Sequence, residues 1–236
     1  MKELKEAWFE FKGENSADMG VMLLARPQRS QGDANGESVQ VSGRSGRLWI
    51  GDGTWDNATA EVTCIVPDGD MDRVLAWLTG SGWLRFSDEP DRAYRARAIK
   101  GITRMQPYAR FAAQKFTVSF DCQPFRYLYP AAESVTFAEA GDIENPGTAA
   151  SSPKLWVYGS GDITLSVGAC LMTFEGVTGG VVVDSELMDV LDLTETQLMN
   201  GCAQMDEFPQ LEPGTNHVAW SGEVTQVVIE PRWRYI

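Results

Sequence analysis

Apolar side chains recur at every second position through much of this chain, the period of strands with one buried face. In Val62-Thr63-Cys64-Ile65-Val66, the residues Val62, Cys64 and Val66 share a face. Between Phe116 and Cys122, the residues Phe116, Val118, Phe120 and Cys122 point one way while Thr117, Ser119 and Asp121 point the other. Further strands are predicted over 154–158, 163–167, 181–184, 218–220 and 224–230. One stretch departs from this period. Met71, Val74, Leu75 and Leu78 follow the i, i+3, i+4, i+7 spacing of a single helical stripe. Asp70 is placed to cap that helix and Gly80 to end it, with Trp77 covering the edge of the stripe.

Glycine-rich segments punctuate the strands. Gly51-Asp52-Gly53 and Gly159-Ser160-Gly161-Asp162 each separate two strand-like runs and read as hairpin turns, because glycine reaches positive φ without strain. Residues 28–46 are polar and read as a long surface loop or arm. Residues 139–153 contain Asn145-Pro146-Gly147 and Ser151-Ser152-Pro153, after which strands resume at once. A boundary is expected there, dividing the chain into domains 1–138 and 139–236. A length of 236 residues accommodates both. The predicted class is mainly β: a sandwich-like N-terminal domain with one short helix, followed by a second β-sandwich.

Composition narrows the function. With 43% hydrophobic and 22% charged residues the chain can bury a core. Its 33 acidic against 20 basic residues give a net charge of −13, a poor match to a phosphate backbone or an anionic membrane surface. Acidity alone needs no purpose beyond solubility. The opening Met1-Lys2-Glu3-Leu4-Lys5-Glu6 alternates charge where a secretion signal needs an apolar stretch. The run Met19 to Ala25 falls far short of the ~20 residues of a membrane span. The chain is expected to be made in the cytoplasm and to leave it only within an assembly. Cys64, Cys122, Cys170 and Cys202 form no C-x-x-C pair; Cys64 and Cys122 lie in apolar alternations and read as small buried hydrophobes, with a disulfide the less favoured outcome.

No catalytic constellation emerges. The single histidine, His217, has no G-x-S-x-G elbow to serve and cannot by itself make a histidine-rich metal site. Asp68, Asp70 and Asp72 open like a calcium loop, but Arg73 stands where glycine is needed and Thr79 where glutamate is needed. Asp88-Glu89-Pro90-Asp91 reads as a proline-marked turn rather than the opposed carboxylates of a glycosidase. Neither a P-loop nor a dinucleotide fingerprint occurs, and Asn57-Ala58-Thr59 is a sequon without a secretory route. No metal or cofactor is expected. Eight tryptophans are many for this length; they suit a sandwich core or a subunit interface, with stacking on sugar rings as the alternative.

Several segments, taken in order, resemble the distal tail (Dit) proteins of long-tailed bacteriophages. They are Phe9-Glu10-Phe11-Lys12-Gly13, Gly43-Arg44-Ser45-Gly46, the helix with the following stretch from Gly80 to Ala96, and Phe116 to Phe125. The second half adds Asn145-Pro146-Gly147-Thr148, Gly159 to Ile163, Val183 to Glu186, Leu211 to Asn216 and Trp220 to Arg234. The resemblance implies an N-terminal domain that closes into a homohexameric ring and a galectin-like C-terminal β-sandwich. It implies a virion tail tip in which the ring joins the tail tube protein to the tail-associated hub or tail fibre protein. Tape measure and receptor-binding proteins are further implied partners. No catalytic residues come with it. In or beside its motifs, Arg44, Arg47, Asp88 and Asp91 are the candidate subunit contacts. Negative charge would suit a hole through which DNA slides. A carbohydrate-binding module aiding adsorption to the host surface is the alternative function, with residues 154–236 the part expected to bind sugar.

Overall fold

The computed structural model describes residues 7–67, 71–98, 103–104 and 113–236. Strands dominate, and Met71–Trp77 is the α-helix among the described residues. The chain divides into two compact units, Met1–Arg126 with Ile236, and Tyr127–Tyr235. The segment 139–153 lies inside the second unit.

In the first unit the main sheet runs Glu14–Asn15, Phe9–Phe11, Ser81–Phe86, Glu89–Ala98, Gln114–Leu128, Ala58–Val66 and Met22–Leu23. Phe116 pairs with Cys64 and Cys122 with Ala58 in one antiparallel ladder. The period-two reading holds: Phe116, Val118, Phe120 and Cys122 are all fully buried, as are Val62 and Cys64. Phe9, Phe11 and Phe120 form the aromatic centre, with ring centroids 5.1 to 6.0 Å apart where they touch. Met71, Val74 and Leu78 bury the expected stripe, and Gly80 follows at φ +76°. Trp77 does not cover an edge. It stacks on Phe9 at 5.2 Å and donates its indole N–H to Phe11 O at 2.9 Å, while Leu75 is only half buried. A buried indole needs an acceptor for its N–H, and the end of Phe9–Phe11 supplies one. The Asp70 cap falls outside the described residues, as do Asp68 and the start of the rejected calcium loop.

The second unit is a sandwich built around two bent strands, Lys154–Val167 and Gly214–Glu230. Their outer halves pair at Leu155↔Ile229 and Val157↔Val227, and add Gly180–Asp184, Asp189–Leu191 and Val135–Phe137. Their inner halves pair at Leu165↔Trp220 and Val167↔Val218, and add Cys170–Val177, Ala203–Gln204 and Gly141–Asn145. Gly159-Ser160-Gly161-Asp162 is therefore not a hairpin turn. The strand continues through it with shifted register, and the bend carries it from one layer to the other. Leu155, Val157, Leu165, Val167, Val227 and Ile229 meet in the core with no exposed surface.

Candidate assembly surfaces

Residues 28–46 are not an irregular loop. Gln28–Ser30 pairs with Ala58–Val66, and Ala34–Gln40 pairs with Arg47–Trp55 as a separate two-stranded ribbon. Gly43-Arg44-Ser45-Gly46 forms its turn, with Gly43 at φ +81° and Gly46 at φ +82°. Gly51-Asp52-Gly53 is again no hairpin turn: Gly51 pairs with Gly36 and Trp55 with Ala34, so the residues between them bulge opposite Asn35. The Asp52 carboxylate accepts from the backbone N–H and the hydroxyl of Thr54 and closes this bulge; those bonds hold its pKa below the usual carboxylate range.

This ribbon carries apolar groups on both faces. Leu48 and Ile50 alternate with Trp49, and Val41 sits at the turn; Trp49 is 56% exposed and Ile50 55%. Trp49 lies flat over the ribbon, since a Cβ on Gly36 would stand 2.7 Å from its ring. A two-stranded ribbon is marginal in water unless something packs against it.

Arg44 lies in the ribbon's turn and Arg47 opens its second strand, both exposed. Among the described residues no acid pairs with either. Asp88 lies in the turn between Ser81–Phe86 and Glu89–Ala98, and Asp91 lies near the start of the second of these strands. Asp88 is engaged within its own unit, because Arg29 ion-pairs with it and with Glu89 at 2.9 Å. Glu89 also receives Arg126 at 2.7 Å, and Arg126 donates to Ile236 O. Asp91 keeps a 66% exposed side chain beside Arg92. The sequence gives no local signal for Arg29 or Arg126, which lie 59 and 37 residues from the acids they hold.

Trp77 and Trp233 are buried, and Trp49 and Trp83, both in the first unit, are exposed. In the second unit Trp156 and Trp220 are half buried, and Lys154 Nζ lies 5.1 Å over the Trp156 ring. All four thiols are free. His217 sits at the surface with Asp142 2.7 Å from its Nδ1. Among the described residues no group of three or more His, Cys, Asp or Glu side chains could hold a metal ion, and no helix is long and apolar enough to cross a membrane.

Charge is also segregated. Residues 127–235 hold 16 acidic and three basic side chains, whereas residues 1–126 hold 17 of each. The net charge of −13 thus belongs to the second unit.

No family model matches the sequence, and no curated protein does. Solved structures do match. The Dit protein (gp 19.1) of phage SPP1, described as a paradigm of the hub adsorption apparatus in phages infecting Gram-positive bacteria, aligns at a TM-score of 0.71 with 17% identity, over 98% of this chain and 100% of that one. A chain of the phage p2 baseplate in its activated conformation with Ca aligns at 0.50 with 8% identity, over 94% and 97% of the two chains. The same baseplate with Sr gives 0.49. The chain therefore has the fold of a Dit protein along nearly its whole length.

Proposed function

We propose that this chain is a structural subunit of a phage tail tip, six copies of which close into a ring joining the tail tube to the hub and receptor-binding apparatus, with DNA passing through the hole. The observation that carries this reading is the ribbon Ala34–Gln40/Arg47–Trp55. It exposes Leu48, Trp49 and Ile50 and needs a surface to cover them. A ring requires such a surface on each copy to meet a different surface on the next, head to tail, until the circle closes. Arg44 and Arg47 at the ribbon's end would contribute charged contacts to that junction. The full-length likeness to SPP1 Dit supports the same assignment. The second unit would be the galectin-like sandwich of such a protein, in a virion tail built inside the host.

The carbohydrate-binding alternative draws less support. A sugar platform needs an open aromatic face, and the second unit has no tryptophan more than half exposed among its described residues.

Sedimentation and negative-stain imaging of the purified chain test the ring. Closed particles of six-fold symmetry are expected, and replacing Trp49 and Ile50 with serine should return them to monomers. Rings that survive this double replacement would refute the ribbon as the closing element.

A further inference from the structure

Beside the strand Cys170–Val177 the second unit has a groove that the ring reading does not use. One part has a volume of about 590 Å³ and is lined by Leu171, Met188, Val190, Met205 and Phe208. A smaller part of about 290 Å³ adjoins it, sharing Leu171, Asp206 and Phe208, and is also lined by Glu207 and Glu212. The sheet leaves this side open, because Ala203–Gln204 covers Cys170–Val177 at only Thr173 and Phe174.

Two features mark the groove as a docking surface. First, its apolar groups are held out in solvent. Leu171 is 60% exposed and Met188 67%. Met188 takes φ +57°, a conformation that costs a residue with a Cβ and persists where its surroundings enforce it. Here the Asp184 carboxylate accepts from the N–H groups of Glu186 and Leu187, and Arg232 grips Asp184 in turn, so the turn that presents Met188 is stiff. Second, the surrounding charge has one sign. Each of the unit's three basic side chains is consumed internally: Lys154 pairs with Glu195, Arg232 with Asp184, Glu186 and Glu230, and Arg234 with Glu186. Apolar side chains beside carboxylates select a ligand that presents apolar groups to the first and cations to the second.

We propose that this groove receives an extended segment of another protein, one that seats apolar side chains between Leu171 and Phe208 and places lysine or arginine against Asp206, Glu207 and Glu212. The proposal stands apart from ring closure, which the first unit's ribbon would perform.

The test uses the full chain, methyl-labelled for NMR, and two short synthetic peptides, one alternating lysine with valine and one alternating glutamate with valine. The lysine peptide should bind saturably and shift the methyl signals of Leu171, Met188, Val190 and Met205, while the glutamate peptide shifts none. Asp206→Lys with Glu207→Lys should weaken binding by about tenfold or more, and Glu133→Lys with Glu223→Lys, an equal change of net charge elsewhere, by less than about twofold. Equal weakening by the two pairs would reduce the effect to bulk charge and overturn the proposal, as would shifts outside the groove or no binding. Loss of oligomer mass in the Asp206→Lys, Glu207→Lys variant would instead hand the groove to a second copy of this chain, and would also overturn it.

Discussion

Arg232 occupies φ +51°, and its guanidinium reaches Asp184 at 2.8 and 3.1 Å and Glu230 at 3.0 Å. The Asp184 side chain is 4% exposed. Burial pushes its pKa up, but the hydrogen bonds and charge of Arg232, with the N–H groups of Leu187 and Glu186, outweigh burial and leave it below the usual carboxylate value. A carboxyl whose pKa is depressed on folding contributes stability above its unfolded pKa and loses it as pH falls through the folded one. Arg232→Ala should therefore cost about 3–5 kcal/mol in chemical denaturation at neutral pH, because it strands a buried charge. The difference from wild type should shrink as pH falls from the unfolded value near 4 through the still lower folded pKa of Asp184, below which the carboxyl is neutral in the folded and the unfolded chain alike. A deficit unchanged at acid pH would mean that packing, not charge, is what Arg232 supplies. The thiols give a second test at this scale. Burial lifts Cys64 and Cys122 to about 12, so at pH 8 their reactive thiolate is scarce as well as inaccessible. A thiol reagent should titrate Cys170 and Cys202 in the native protein and all four in denaturant; four fast-reacting thiols without denaturant would contradict this packing. Both buried cysteines were legible in the sequence from their place in alternating apolar runs. The Arg232 network was not, since its members meet only through the return of Pro231–Tyr235.

At the scale of elements, what was legible followed from period and what was missed followed from glycine. Period two located the strands around Val62–Val66 and Phe116–Cys122 because each has one face in the core. Glycine reads ambiguously, because a turn and a bulge exploit the same freedom at φ and the same tolerance of close backbone. Gly222 shows the second use. It sits at φ +100°, and a Cβ there would stand 2.4 Å from Asp162 O across the bend. Gly159 faces the mirror situation, with Glu223 O 2.4 Å from its Cβ position. Gly222→Ala should destabilise the second unit by about 1–3 kcal/mol, from backbone strain and the forced separation of the bent strands. Thermal melting checks this, and a variant as stable as wild type would show that the bend absorbs a methyl. The ribbon behaves in the opposite way. Trp49 and Ile50 touch no core, so at dilutions where both proteins are monomeric, replacing both with serine should leave unfolding within about 0.5 kcal/mol of wild type while removing the exposed apolar surface that the ring reading needs.

For the whole molecule, the location of charge changes what the acidity can mean. Read along the sequence, a net −13 suited a hole lined against DNA. The structure assigns that charge to residues 127–235 and leaves residues 1–126 balanced, so a ring closed by the first unit would owe little repulsion of DNA to its net charge. The interface candidates follow the same division. Arg44 and Arg47 stay open at the ribbon's end, whereas Asp88 is already held by Arg29, which favours the arginines as contacts to a second copy. The segregation also predicts unequal responses to salt. Like charges crowded on one unit repel one another and oppose its folding, and salt screens repulsion over distances beyond the Debye length, which falls from about 30 Å at 0.01 M to about 10 Å at 0.1 M. Hydrogen exchange followed by mass spectrometry reports each unit separately within the intact chain. Protection of core peptides from residues 127–235 should rise across that salt range, and protection of those from residues 1–126 should stay nearly level. The ion pairs of Arg232 work against this trend only weakly, because they are largely buried and salt screens buried pairs least. Equal gains in both units would mean that salt acts through general hydration and that the second unit tolerates its charge by spreading it, in which case the same charge would be too diffuse to select a basic partner.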